Sequence, residues 1–285
     1  MSVQYWYMLP LAIIISAIAT GSGVGGATFF APLFILALGL QPEVAIGTAL
    51  ITEVFGFTSG LYAYARKRLI DYQLGTSMLV ATVPMALLGA WLVEFIEPDI
   101  VKAILGVGLF AVAANALRAP ARKAVARMDA AILQEYGGRK GETCLVTAEG
   151  QEICYTVCNR TEGRLVAAVG ALFKGMIGTG LGEIDEHFFL ERCHVPSRVS
   201  VATSVFVVLF TTLSASAGHL IRFTLAGGLE LDTMLSLVIF AIPGVLLGGQ
   251  LGPWFINRLP ERALSRALQI LLLLVAALTL LEALL

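Results

Sequence analysis

Gly21-Ser22-Gly23-Val24-Gly25-Gly26 divides an apolar stretch near the N-terminus, and the pattern returns as Gly178-Thr179-Gly180-Leu181-Gly182-Glu183 in the second half. Glycine in a helix interior is disfavoured by roughly 1 kcal/mol against alanine, so four in six residues predict a helix break. In hydrocarbon such a break strands backbone N–H and C=O groups, and it is tolerated only inside protein or beside a water-filled cavity. Glycine-interrupted apolar segments at matching positions of two halves point to a transporter's substrate site.

Composition places both breaks in a membrane. The chain of 285 residues is 58% hydrophobic and 14% charged, with a mean hydropathy of +0.84. A soluble domain carries about 25% charged residues. The net charge of −1, with no basic stripe interleaved with aromatics, speaks against a nucleic-acid partner. Ser2 to Thr20 lacks a basic leader and an Ala-x-Ala cleavage site, so it reads as retained rather than as a signal peptide.

Apolar segments run from about Tyr5 to Thr20 and from about Ala27 to Leu40, each short of the roughly 20 residues a full span needs. Together they suggest a hairpin of two partial spans meeting at the glycines. A third segment follows Pro42 to about Ala65, closed by Arg66-Lys67-Arg68; a fourth covers Leu74 to Phe95 around Pro84; a fifth covers Ile100 to Leu117. The second half restarts with Leu165 to Ile177, the second break, and a short segment His187 to Glu191. Segments at Pro196 to Gly218, Asp232 to Leu251 around Pro243, and Glu261 to Leu285 follow.

Three landmarks recur in order. Gly21 maps onto Gly178, Gly47-Thr48-Ala49-Leu50 onto Ala202-Thr203-Ser204-Val205, and Pro84 onto Pro243, at offsets of 157, 155 and 159. The expected fold is an all-α polytopic membrane protein of two inverted five-segment repeats, residues 1–118 and 164–285, with glycine-broken hairpin helices. Residues 119–163 form a basic insert, expected to hold an amphipathic helix over about 120–135, lying on anionic headgroups, and a small β-hairpin around Glu149-Gly150. An isolated hairpin is marginal, so it is expected to pack on the membrane domain or on another copy of the chain, which would make a homodimer.

If each glycine break is a hairpin tip, Arg66, Lys67, Arg68, the basic insert, Arg192, Arg198, Arg258, Arg262 and Arg266 share one side, leaving Lys102 and Arg222 opposite. The positive-inside rule then makes the insert cytoplasmic, both termini external, and the inner membrane the location. Cys144, Cys154, Cys158 and Cys193 form no C-x-x-C pair, and cytosolic reduced thiols are the expectation for them.

At each break the following half-helix offers unpaired N–H groups and a positive dipole end to a small anion. Gly21, Ser22, Gly23, Gly25 and Gly26 are expected to bind it from one half, and Gly178, Thr179, Gly180 and Gly182 from the other. Thr28 adds a hydroxyl, and Thr48, Thr203 and Ser204 would line the same cavity or bond back to their own helix carbonyls. Lys174, in an apolar run one turn before the second break, would attract an anion or pair with Glu183 or Asp185. Glu53, Glu183, Asp185 and His187 are the candidates for proton coupling. No nucleophile–base pair, metal-ligand cluster, cofactor fingerprint or phosphate loop stands in the sequence, so an enzyme is not expected.

At these landmarks the chain resembles the TauE/SafE family of sulfite exporters, anion permeases for sulfite and organosulfonates. The likeness rests on Gly21 to Gly26 followed by Pro32, Ala45-Ile46-Gly47-Thr48-Ala49, Gly178 to Gly182, Ala202-Thr203-Ser204, and Pro243-Gly244-Val245-Leu246-Leu247-Gly248. It spans both membrane halves, while Glu183 stands in place of a glycine and the insert is longer than a simple linker. The resemblance implies a permease exporting a small sulfur-containing anion by alternating access. An uptake system or a channel for another anion, and a membrane sensor built on the cysteine-bearing insert, are the alternatives.

Overall fold

The computed structural model describes residues 3–22, 25–118, 122–136, 143–156, 160–180, 188–189, 193, 195–256 and 261–284. Its long helices are α1 (Met8–Ser22), α2 (Ala27–Leu38), α3 (Pro42–Arg66), α4 (Tyr72–Leu92), α5 (Pro98–Arg118), α6 (Arg122–Tyr136), α7 (Arg160–Ile177), α8 (Ser197–Ala226), α9 (Gly228–Ile256) and α10 (Glu261–Leu284). Among the described residues, five segments are long and apolar enough to cross a bilayer: Pro42–Arg66, Tyr72–Phe95, Pro98–Asn115, Ser197–Leu225 and Leu231–Leu251. Met8–Ala19, Ala27–Leu38 and Gln269–Leu284 are shorter apolar helices. This is an all-α, multi-pass membrane protein.

Helix α8 continues beyond the expected stop near Gly218 and reaches Ala226. A lone helical glycine costs only about 1 kcal/mol. Here it also clears space, because a Cβ at Gly218 would lie 3.3 Å from the Ala90 side chain of α4.

Glycines set the tightest helix contacts. On α9, a Cβ at Gly244 would lie 2.6 Å from the Leu9 carbonyl oxygen, and one at Gly248 would run into the Ile13 carbonyl, both on α1. The Ser16 hydroxyl donates to the Val245 carbonyl across the same seam at 2.9 Å. On α7, a Cβ at Gly175 would run into the Ala86 carbonyl of α4, and one at Gly89 of α4 into the Leu172 carbonyl. In a bilayer, where lipid tails are as apolar as leucine, such close backbone approach is a main source of helix association. Exchanging α1 for α7, α3 for α8 and α4 for α9 turns the α1–α9 packing into α7–α4, and α4–α8 into α9–α3.

The insert is tied to this bundle. Strands β1 (Thr143–Val146) and β2 (Glu152–Tyr155) pair antiparallel, with Cys144 opposite Cys154. The turn between them uses Gly150 at φ +79°, a left-handed conformation that glycine adopts without penalty. Leu145, Ile153 and Tyr155 occupy the protein-facing side of the hairpin. The Ala148 amide donates to the Lys67 carbonyl at 3.1 Å. The Tyr155 hydroxyl, on a fully buried side chain, donates to Asp71 Oδ2 at 2.7 Å. Asp71 is a hub: its Oδ1 caps α4 by accepting from Leu74 N at 2.9 Å, and its own amide donates to Thr203 Oγ1 of α8 at 3.1 Å. The amphipathic α6 is likewise held against protein, with Ile132 buried and Asp129 accepting from the Ser197 amide at the start of α8 at 2.8 Å.

One expectation is corrected. Cys144 and Cys154 are joined in a disulfide, and Cys193 is disulfide-bonded too, so these residues are not reduced thiols. The physical reason is register. Pairing about the Thr147–Gln151 turn sets Cys144 and Cys154 directly across from each other, with their Cα atoms 4.1 Å apart.

Gly175→Val is expected to lower stability by about 1–3 kcal/mol through overpacking against Ala86. Gly60→Ala, where nothing lies within 4 Å, should be neutral or gain up to about 1 kcal/mol; thermal melts in one detergent compare the two. Burial, then the Asp71 carboxylate, push the Tyr155 phenol above its ordinary range. The folded chain thus keeps a proton that the unfolded chain loses near pH 10, and stability should fall as pH rises above about 10. Melts of Tyr155→Phe across alkaline pH should show a smaller slope and a loss of about 1–3 kcal/mol at neutral pH, since Asp71 loses its donor.

Candidate functional site

The two interrupted helices meet. Helix α1 ends at Ser22, α2 begins at Ala27, and α7 ends at Ile177, followed by Gly178 at φ +79° and Gly180 at φ +108°. Thr28, in the first turn of α2, and Thr179, just past α7, share a hydrogen bond between their hydroxyls at 2.8 Å. Both are buried. A Cβ on Gly178 would touch Ala27 at 3.5 Å, so the second break lies directly against the start of α2.

The charge at this junction comes from elsewhere. Lys174, on the last turn of α7, is 2% exposed and points its Nζ at Glu53 Oε2, 2.6 Å away on the middle of α3. Glu53 is equally buried, and its Oε1 accepts from the Ala27 amide at 3.0 Å. A Cβ at Gly25 would run into Glu53 Oε1 and stand 3.3 Å from Lys174 Nζ. Gly25 therefore has to lack a side chain for the carboxylate and ammonium to reach the break. The Phe57 ring, one turn along α3, lies 5.9 Å from Lys174 Nζ, within cation–π range.

The amides at the start of α2 are not left bare. Thr28 N and Phe29 N donate back to the Gly25 and Gly26 carbonyls at 3.2 and 3.0 Å, and Ala27 N is taken by Glu53. A carboxylate thus sits between a helix N-terminal amide and an ammonium group, the environment expected for an anionic guest. Among the described residues the partner of Lys174 is Glu53; Glu183 and Asp185 lie outside them.

Of the other sequence candidates, Thr48 donates to the Val44 carbonyl of its own helix at 2.6 Å. Thr203 accepts from Asp71 N and serves the anchorage of the insert. Ser204 is buried, and its hydroxyl finds no partner among the described residues. Gly21 and Ser22 form the last residues of α1. Gly23, Gly182, Glu183, Asp185 and His187 lie outside the described residues. Sequence reasoning passed over two participants, the Ala27 amide and His219. The fully buried His219 places Nε2 3.1 Å from the Gly175 carbonyl, next to Lys174. A polar residue inside a long apolar span was the available signal for it.

The sulfite exporter TauE/SafE family model matches residues 8–279, nearly the whole chain. The chain belongs to the TauE/SafE family. Two Bacillus subtilis (strain 168) proteins are similar along their length. The probable membrane transporter protein YunE is 22% identical over 276 residues, covering 94% of each chain. The probable membrane transporter protein YjnA is 23% identical over 264 residues, covering 88% of this chain and 91% of the relative. No solved structure matches the chain. This TauE/SafE protein is a membrane transporter, and its buried ion pair joins the two helix breaks.

Removing one partner of a buried pair strands the other charge. Lys174→Met is expected to destabilise the protein by about 3–5 kcal/mol, whereas Lys174→Met/Glu53→Leu, with both charges gone, should recover most of that loss. Melting curves of the two variants in detergent micelles check this.

Proposed function

We propose that this TauE/SafE transporter carries a small sulfur-containing oxyanion, sulfite or an organosulfonate, through the junction of its two broken helices. It works by alternating access, with export as its direction. One observation carries the reading: the Glu53 carboxylate, itself a small oxyanion, is held by the Ala27 amide and the Lys174 ammonium at the meeting point of the breaks. A sulfonate or sulfite group presents the same kind of oxygen acceptors to the same two donors. Thr28 and Thr179 stand beside them as further hydroxyl donors. The description of the matching family as sulfite exporters supports both the choice of anion and the direction.

A route to that point is supported by α8. Ser204, Thr212 and Ser216 are buried hydroxyls of α8 without partners among the described residues. Polar groups inside a membrane protein are costly, and those facing the bundle interior or a cavity can line a substrate path.

Inverted repeats fit the way equivalent helices run. On α5 and α10, Lys102 pairs with Glu282 at 3.3 Å, while Gly106 abuts Ala276 and Leu280, an antiparallel course. The cytoplasmic side is assigned to the insert. Lys67 and the hairpin are joined there, whereas the two cations of the opposite side are matched by acids, Lys102 by Asp99 and Glu282, and Arg222 by Glu43.

The test is thermal stabilisation of the purified protein by a panel of small anions. Sulfite or a simple sulfonate should raise the melting temperature, by the linkage between ligand and folded state. Chloride and organic cations should not. Stabilisation by cations alone would refute the anion reading.

A further inference from the structure

We propose that Glu53 is the proton-coupling carboxylate of this transporter and the resident anion of its binding site. It occupies the substrate position while the site is empty and gives it up by taking on a proton. This rests on the reading of the Ala27–Lys174 junction as the anion site.

The argument is charge balance in a buried place. The pair holds one positive and one negative group, at 2.6 Å, with side chains 3% and 2% exposed. An arriving monoanion needs the same two donors, Lys174 Nζ and Ala27 N–H, that now hold the two oxygens of Glu53. With the anion seated and Glu53 still ionised, two negative charges would share one ammonium in a low-dielectric site, which is heavily penalised. If the Glu53 carboxylate takes one proton from the compartment to which the site is open, the balance returns to one positive and one negative charge. The neutral acid can then turn away from Lys174. When the anion departs, the proton departs, and the Glu53 carboxylate closes on Lys174 again.

No other described titratable group competes for this role. Helices α1 and α2 contain none, nor does α5 between Ala103 and Asn115 or α9 between Thr233 and Ile256. From α7 the facing charge is Lys174. From α8 the nearest titratable group is His219, whose Nε2 is engaged with the Gly175 carbonyl rather than with the carboxylate. At the far end of α3, Glu43 is paired with Arg222. Gly25 fits the same logic, since a side chain there would block the oxygen that the anion has to replace. The inference also narrows the substrate to a monovalent oxyanion accompanied by one proton, a combination that crosses without net charge.

Methanesulfonate is a suitable probe because its own charge does not change over the useful pH range, whereas that of sulfite does. In the wild-type protein its affinity should weaken by about tenfold per pH unit above the Glu53 titration, the slope of a one-proton linkage. In proteoliposomes, an imposed methanesulfonate gradient should move one proton per anion, read by an entrapped pH dye. Glu53→Gln should bind with an affinity that no longer varies with pH, and should move no protons. Lys174→Met/Glu53→Leu should bind neither methanesulfonate nor sulfite.

The outcomes separate the two readings. A pH-independent wild-type affinity, or a Glu53→Gln variant that keeps the wild-type slope and proton flux, overturns the coupling while leaving the site intact. Retained binding in Lys174→Met/Glu53→Leu, or binding of neither anion to the wild-type protein, overturns the site and the coupling with it. Should Glu53→Gln not purify as a folded species, the wild-type slope and the proton count decide alone.

Discussion

Two opposite charges buried within 3 Å of each other govern the middle of this molecule. Neither belongs there on its own, because an ion in a low-dielectric interior costs several kcal/mol unless it is paired and hydrogen-bonded. Lys174 brings the end of α7 to α3, and Glu53 brings α3 to the start of α2 through the Ala27 amide. Three elements, two from the first half of the chain and one from the second, are fixed by one carboxylate. The glycines fit round it: Gly25 lets the carboxylate approach, and Gly178 supplies the φ of +79° at which the second break turns beside Ala27. The scaffold supports this at a distance, with α1 pressed on α9 and α7 on α4 through glycines that leave no room for a side chain.

Spans and breaks were legible in the sequence because they are composition effects. A long apolar run has few fates, and four glycines in six residues weigh heavily against a continuing helix, whereas Gly248, Gly249 and Gly252 are carried inside α9. The pairing of Lys174 was not legible. Its partner Glu53 stood out as an acid within a span, but it lies on another helix, and only the tertiary fold brings it to Lys174. Thr48 follows the second of the two courses open to it. A hydroxyl near a break looks like a ligand, but one helical turn back there is always a carbonyl to take its proton, and Val44 does so. Thr203, expected to line the cavity or to bond back to its own helix, accepts from the amide of Asp71, a residue that carried no signal beyond its place ahead of a helix.

The insert shows how a missed register hides a bond. Once the turn is centred on Glu149-Gly150, antiparallel pairing places Thr143 across from Tyr155 and Cys144 across from Cys154. The alternation that suggested a hairpin therefore already contained the disulfide. Weighing the cysteines as a compartment statistic, without counting strand positions, led to the opposite conclusion. The same hairpin reaches the transport domain by a short relay, from Tyr155 to Asp71 and from Asp71 to both Leu74 and Thr203. β2 is thereby tied to the start of α4 and, through Thr203, to α8.

That relay sharpens a conflict between two rules about sidedness. Disulfides persist in oxidising compartments, while cations that flank spans mark the cytoplasmic side. The orientation proposed above follows the charges, because orientation is set during insertion, before any thiol has a partner. The cations are also numerous on the insert's side, and on the opposite side Lys102 and Arg222 are compensated by Asp99, Glu282 and Glu43. The Cys144–Cys154 bond lies on a hairpin whose outer face carries Cys144 and Val146 exposed. The disulfide and Tyr155, which holds Asp71, lie on the same pair of strands, so cross-link and anchorage share one small hairpin.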